Sequence, residues 1–108
     1  NIQVQSNFQL IVNAIDLKMS PQHNAEAPRW QHLNKLRDSS GDESYEGILQ
    51  IENRISQETI TELSNKGHIA EEIPAYGHGS SVQLLEVQSN GTYIAGSDPR
   101  CEGHAAGI

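Results

Sequence analysis

The chain is short of the residues that most often hold small folds together. Among 108 residues there is one cysteine, one methionine, one tryptophan and one phenylalanine. A single thiol, Cys101, has nothing in the chain to pair with, which excludes a disulfide-stapled scaffold. Aromatic residues make up 5% and hydrophobic residues of all kinds only 35%. A core this thin predicts marginal stability alone, or a surface that awaits a partner. Basic residues are also scarce: 7 Lys and Arg stand against 14 Asp and Glu, a formal net charge of −7. That balance argues against nucleic acid or an anionic membrane as partner, because phosphates reward clustered cations. No apolar run approaches the roughly 18 residues of a membrane span. Residues 1–6 lack the basic and apolar segments of a signal peptide, and no initiator Met is present. The length fits one domain, and the start of the sequence leaves two expectations open, a processed piece or a segment that begins inside a longer protein.

What is present is a chain of short elements. Val4, Phe8, Ile11, Val12, Ile15 and Met19 recur at three- and four-residue steps, which predicts a helix with one apolar face. Leu10 and Leu17 widen that face, and a helix of this kind is expected to be buried on more than one side. Ser20-Pro21 predicts a second helix over Pro21 to Ala27, with Ser as cap and Pro at the first position. Residues 38–44 are polar and predict an exposed loop. Ile48 to Ile51 predicts a strand. Ser56 predicts the start of a helix in which Ile55 staples to Ile60, and Gly67 its end. His68 to Ile73 predicts a strand with Ile69 and Ile73 on one side. Val82 to Val87 and Thr92 to Ala95 flank Ser89-Asn90-Gly91, which predicts a hairpin, because Asn and Gly both tolerate positive φ.

Few of the chemically capable residues form a constellation. His23, His32, His68, His78 and His104 are scattered, and no pair has the i, i+4 spacing of a helical zinc site. Cys101 and His104 are three apart but lack further ligands, so no metal and no cofactor are expected. Ser80 and Ser81 in Gly77-His78-Gly79-Ser80-Ser81 match a nucleophile elbow only loosely, since the second Gly is missing. The backbone around Gly77-His78-Gly79 either approaches a ligand closely or serves as a flexible entry to the next strand. Asn90-Gly91-Thr92 matches a glycosylation triplet that the turn explains. Glu71-Glu72 reads as a solvated strand end. Arg29 and Arg100 each follow a proline, so each guanidinium leaves a stiffened turn. Guanidinium forks bind carboxylates in bidentate geometry. For Arg29 the expectation is an internal ion pair, for instance with Asp98, with Trp30 as a packing anchor. For Arg100, anchoring of a ligand carboxylate and structural pairing both stand open.

Four stretches resemble a known family. They are Leu10-Ile11-Val12-Asn13-Ala14-Ile15-Asp16-Leu17-Lys18-Met19, Ser20-Pro21-Gln22-His23-Asn24-Ala25-Glu26-Ala27-Pro28-Arg29-Trp30, Gly77-His78-Gly79-Ser80-Ser81-Val82-Gln83, and Asn90 to Arg100 with its Gly96-Ser97-Asp98-Pro99-Arg100 motif. Followed by Gly103-His104-Ala105-Ala106-Gly107-Ile108, they resemble the later part of the small subunit of γ-glutamyltranspeptidases. The resemblance implies an α+β fold, part of the αββα sandwich of an N-terminal nucleophile hydrolase. It places residues 1–108 in the C-terminal portion of that subunit, an incomplete domain.

The resemblance further implies an enzyme in which a precursor cuts itself to free a terminal Thr. The Thr hydroxyl attacks a γ-glutamyl amide with its own α-amine as base, and backbone amides hold the oxyanion. Glutathione is the usual donor, and related members act on acylated β-lactams or polyglutamate. This chain begins with Asn1, so no catalytic residue is carried onto it, and Thr59, Thr61 and Thr92 have local helix or hairpin roles. The implied partners are the large-subunit polypeptide, the N-terminal part of the small subunit and a small γ-glutamyl substrate. Arg100 alone is expected near the substrate carboxylate, so that Arg100→Lys weakens donor binding more than stability. Two other readings are an inactive scaffold of the same fold and a stand-alone α+β binding module.

Overall fold

The structure, a computed structural model, describes residues 2–36 and 45–108. The polar loop expected at 38–44 lies outside them. Eight elements are formed among the described residues: α1 (Ile2–Ile15), α2 (Pro21–Glu26), β1 (Trp30–Leu36), β2 (Tyr45–Glu52), α3 (Gln57–Asn65), β3 (Ile69–Ile73), β4 (Gln83–Val87) and β5 (Tyr93–Ser97). Strands β1, β2 and β3 form one sheet in that order, β1 antiparallel and β3 parallel to β2. Strands β4 and β5 form a separate antiparallel pair.

Helix α3 is the crossover that a parallel β2–β3 pair requires. Its ends follow the expected chemistry. The Ser56 hydroxyl accepts from the Thr59 N–H at 3.3 Å, and Gly67 takes the left-handed conformation at φ 97°. Ile60 turns inward against Leu49 and Ile51, with Trp30, Ile55, Leu63 and Ala70 packed around them. This is the main apolar core. In β3 it is Ala70 that meets the core, and Ile69 is exposed. The Glu71 and Glu72 carboxylates accept from Gln50 and Gln57, each about 3 Å away.

Strand β1 has no counterpart in the sequence reading. Its residues Trp30-Gln31-His32-Leu33-Asn34 mix polar and apolar side chains on both faces, so no period of two stands out. Pairing supplies what pattern does not. One edge of β1 runs along β2 from Trp30–Ile51 to Leu36–Tyr45. The other edge is covered by two glutamines of α1. Gln9 donates to the Trp30 carbonyl at 2.8 Å and accepts its N–H at 3.1 Å. One helical turn earlier, Gln5 does the same to His32, at 3.0 and 2.7 Å. Gln22 of α2 repeats the device on Ser97 of β5. A primary amide matches one residue of a strand edge, so these side chains satisfy groups that would otherwise invite another strand.

This use of glutamine explains why α1 is oriented against expectation. Its buried residues are Ser6, Gln9 and Leu10, while Val4, Phe8, Ile11 and Ile15 are 57% to 69% exposed. The polar stripe makes specific hydrogen bonds to β1 and α2, including Asn13 to Asn24 at 3.0 Å. The apolar stripe faces away from the rest of the chain. The β4–β5 pair shows the same exposure at Leu85, Val87, Tyr93 and Ile94.

The hairpin forms where Asn90-Gly91 places it. Only Gly91 has positive φ, at 83°. The Gly91 N–H donates to the Gln88 carbonyl and the Gln88 N–H to the Thr92 carbonyl, so the loop has three residues. Asn90 accepts the Thr92 N–H through its side chain instead of taking a left-handed conformation. The chain measures 58 × 27 × 21 Å with a radius of gyration of 16.7 Å. A closed domain of this length has a radius of gyration of about 13 Å, so the elements enclose less core than a self-contained fold.

Candidate functional site

Four segments meet at one buried junction. The α2–β1 turn brings Arg29, the end of β2 brings Glu52, residues 77–80 bring His78 and Ser80, and the end of β5 brings Asp98 and Arg100. Proline fixes the approach of both arginines, and Gly96 allows a further close contact. A Cβ at Gly96 would collide with the Pro21–Gln22 backbone, so α2 packs directly on β5 only because this residue has no side chain.

The charges are buried and paired. Arg100 grips Glu52 in a bidentate fork, Nε to Oε1 and NH2 to Oε2, both at 2.8 Å. Its NH1 lies 3.0 Å from Asp98 Oδ1. The other Asp98 oxygen accepts from Arg29 at 2.8 Å and from the Val82 N–H at 3.0 Å. Further donors of the two guanidinium groups reach the carbonyls of Ala25, Ala27 and Ser80, while Arg29 Nε has no hydrogen-bond partner among the described residues. Two guanidinium cations therefore face two carboxylates inside the chain, and this pairing offsets much of the cost of burying them. Arg54 joins from the rim, binding Glu52 at 2.7 Å and the Glu26 carbonyl at 2.7 Å. The Tyr76 ring covers it, 3.9 Å from the guanidinium carbon. Tyr76 holds φ 57°, a conformation that non-glycine residues adopt when their surroundings enforce it.

Electrostatics follow from this geometry. Burial alone would push the Glu52 pKa up, but hydrogen bonds from Arg100 and Arg54 outweigh it and hold the carboxyl at about 2. Burial likewise opposes the Arg100 charge, and Glu52 and Asp98 reverse that and raise its pKa. For Arg29, burial and the neighbouring Arg100 prevail over Asp98, and its pKa is lowered. His78 is lowered by burial, then by Arg29 and Arg100.

The junction accounts for the residues that the sequence singled out. Arg29 forms the expected ion pair with Asp98, and Trp30 beside it packs against the main core. For Arg100, the structure shows structural pairing. All five guanidinium N–H donors are used within the chain, and the side chain is 1% exposed. Around residues 77–79, the anion approached by backbone is an internal one: the His78 N–H donates to Glu52. Cys101 and His104 are exposed, the thiol facing the Asp98 carbonyl at 3.6 Å. Among the described residues, no group of three His, Cys, Asp or Glu side chains is placed to hold a metal ion. Glu52, Arg54 and Tyr76 were missed by sequence reasoning. Glu52 had one available signal, a carboxylate directly after an apolar strand in a chain with two proline-anchored arginines.

The arrangement identifies a class first. Cephalosporin acylase from Bacillus halodurans superimposes on 94% of the chain with a TM-score of 0.75 at 24% identity, over 17% of its own length. γ-Glutamyltranspeptidase from Pseudomonas nitroreducens matches 97% of the chain with a TM-score of 0.67 at 19% identity, over 49% of its length. The fold is thus α+β, part of the N-terminal nucleophile hydrolase sandwich. Residues 1–108 match the γ-glutamyltranspeptidase family throughout, and the chain belongs to that family of transferases and hydrolases. The "glutathione hydrolase-like YwrD proenzyme" of Bacillus subtilis (strain 168) is 32% identical over 110 residues. That alignment takes in 98% of this chain and 19% of the relative. The chain thus spans about a fifth of that curated relative. Among the described residues, no helix is long and apolar enough to cross a membrane.

Proposed function

We propose that the complete polypeptide is a γ-glutamyl hydrolase or transferase that opens γ-glutamyl amides such as glutathione. The match of residues 1–108 to the γ-glutamyltranspeptidase family carries this reading. The name of the Bacillus subtilis relative supports a glutathione-like donor. In this reading residues 1–108 form the C-terminal portion of the small subunit. The nucleophile is a Thr in polypeptide outside this chain, freed by self-cleavage. Its hydroxyl attacks the γ-carbonyl carbon, its α-amine takes the proton, and backbone amides stabilise the oxyanion. The leaving amine departs, and water or an amino acid then accepts the γ-glutamyl group.

The share of that work falling to this chain is positional. The Arg29–Asp98–Arg100–Glu52 junction fixes four segments in one arrangement, and Arg100 acts through it as a positioning residue. The rest of the large and small subunits closes over the exposed faces of α1 and the β4–β5 pair. The test is production of the full-length protein, followed by intact mass and turnover of glutathione and γ-glutamyl-p-nitroanilide. Two chains ending at a new N-terminal Thr, with hydrolysis abolished by Thr→Ala there, are expected. An uncut chain that releases no product from either donor overturns the proposal and leaves the inactive scaffold.

A further inference from the structure

We propose that His78, Ser80 and Ser6 form a pH-sensitive latch that ties helix α1 to the segment at residues 77–82. His78 is 4% exposed. Its Nδ1 lies 3.3 Å from the Ser80 backbone nitrogen and 3.1 Å from the Ser80 hydroxyl. A backbone N–H only donates, so Nδ1 is the unprotonated nitrogen and the ring hydrogen sits on Nε2. With Nδ1 as acceptor, the Ser80 hydroxyl donates to it and stands 2.7 Å from the hydroxyl of Ser6 on α1. The Ser80 carbonyl is held in turn by Arg29 at 2.8 Å. One imidazole nitrogen thus organises a chain of hydrogen bonds from the charged junction to the helix.

A proton on Nδ1 breaks that chain, because two donors then face each other. It also places a cation in poor company. Arg29 at the head of β1 and Arg100 beyond β5 both disfavour it, and Glu52 of β2, which accepts the His78 N–H, opposes them. Asp98 is already paired with both arginines. Among the described residues, Nε2 has no hydrogen-bond partner to compensate. Burial and the two arginines hold the imidazole below its ordinary value of 6.5. The folded state therefore resists a proton that the unfolded chain accepts. The stability that the latch contributes is present above about pH 6.5 and is lost as pH falls below it.

Hydrogen exchange by mass spectrometry on the full-length protein tests the latch, with rates corrected for the intrinsic effect of pH. Between about pH 7.5 and pH 5.5, protection of α1 and of residues 77–82 is expected to fall several-fold, because the buried imidazole takes up a proton less readily than the unfolded chain does. In His78→Gln, a neutral side chain that still accepts a hydrogen bond, both segments should keep equal protection at the two pH values. In Ser6→Ala, α1 should show reduced protection at both pH values while residues 77–82 still respond. The Ser6 variant decides the matter if His78→Gln does not fold. A wild-type α1 indifferent to pH, an unchanged response in His78→Gln, or an unchanged α1 response in Ser6→Ala overturns the proposal.

Discussion

The charged junction and the outer face of α1 reverse the usual distribution of side chains. At the junction Arg29, Glu52, Asp98 and the Arg100 side chain are all nearly inaccessible to water. On α1 and the β4–β5 pair, aliphatic and aromatic residues lie open to it. The first region is complete, because every charge finds its complement inside the chain. The second is not, since apolar area gains nothing until something removes it from water. Polar chemistry thus closes the fold locally, while the apolar faces of α1 and of the β4–β5 pair stay open in an elongated outline.

The sharpest way to break this contrast is to remove one charge from the junction. Glu52→Gln leaves Arg100 and Arg54 without their carboxylate and should cost about 3–5 kcal/mol, the usual penalty for orphaning a buried partner. Urea denaturation of the complete protein measures it, and a loss below 1 kcal/mol, the value of an exposed pair, would mean that water reaches the cluster. Acid attacks the same carboxylate. Glu52 titrates near 4.5 when unfolded and at about 2 when folded. Its stabilisation is therefore full above about pH 4.5 and disappears as pH falls towards 2, a loss of about 3 kcal/mol. The decline should vanish in Glu52→Gln. The apolar region calls for a gentler change. Ile11→Val in the complete protein should cost about 1 kcal/mol if other polypeptide buries this face. An unchanged melting temperature would show the stripe still open to water.

Much of this was legible in the sequence, and the failures have physical causes. Caps are local, so Ser20, Ser56 and Gly67 mark their helix ends correctly. An internal ion pair for Arg29, with Asp98 or another acidic residue, was legible because Pro28 stiffens the turn that the guanidinium leaves, and Asp98 is the partner found. Strand β1 was not, because its pairing depends on β2 and on glutamines more than twenty residues away. The orientation of α1 was read from hydrophobic period, which assumes that the apolar stripe faces the rest of the same chain. Here Gln5, Gln9 and Asn13 decide the inner face through hydrogen bonds, and the apolar stripe points outward. The hairpin was placed correctly, but Asn90 satisfies the turn with its side chain and only Gly91 takes positive φ. The Glu52–Arg100 fork joins residues 48 apart in sequence and left no periodic trace.

The claim that this junction holds the fold together, rather than holding substrate, is tested most directly at Arg100. Arg100→Lys in the complete protein keeps one positive charge but cannot reproduce a fork with five donors. Thermal melting and KM for γ-glutamyl-p-nitroanilide, measured on the same preparation, separate the two roles. The structure predicts a melting temperature lowered by several degrees with KM within about twofold of wild type. A KM raised tenfold or more at an unchanged melting temperature would contradict it and place Arg100 on the donor's carboxylate.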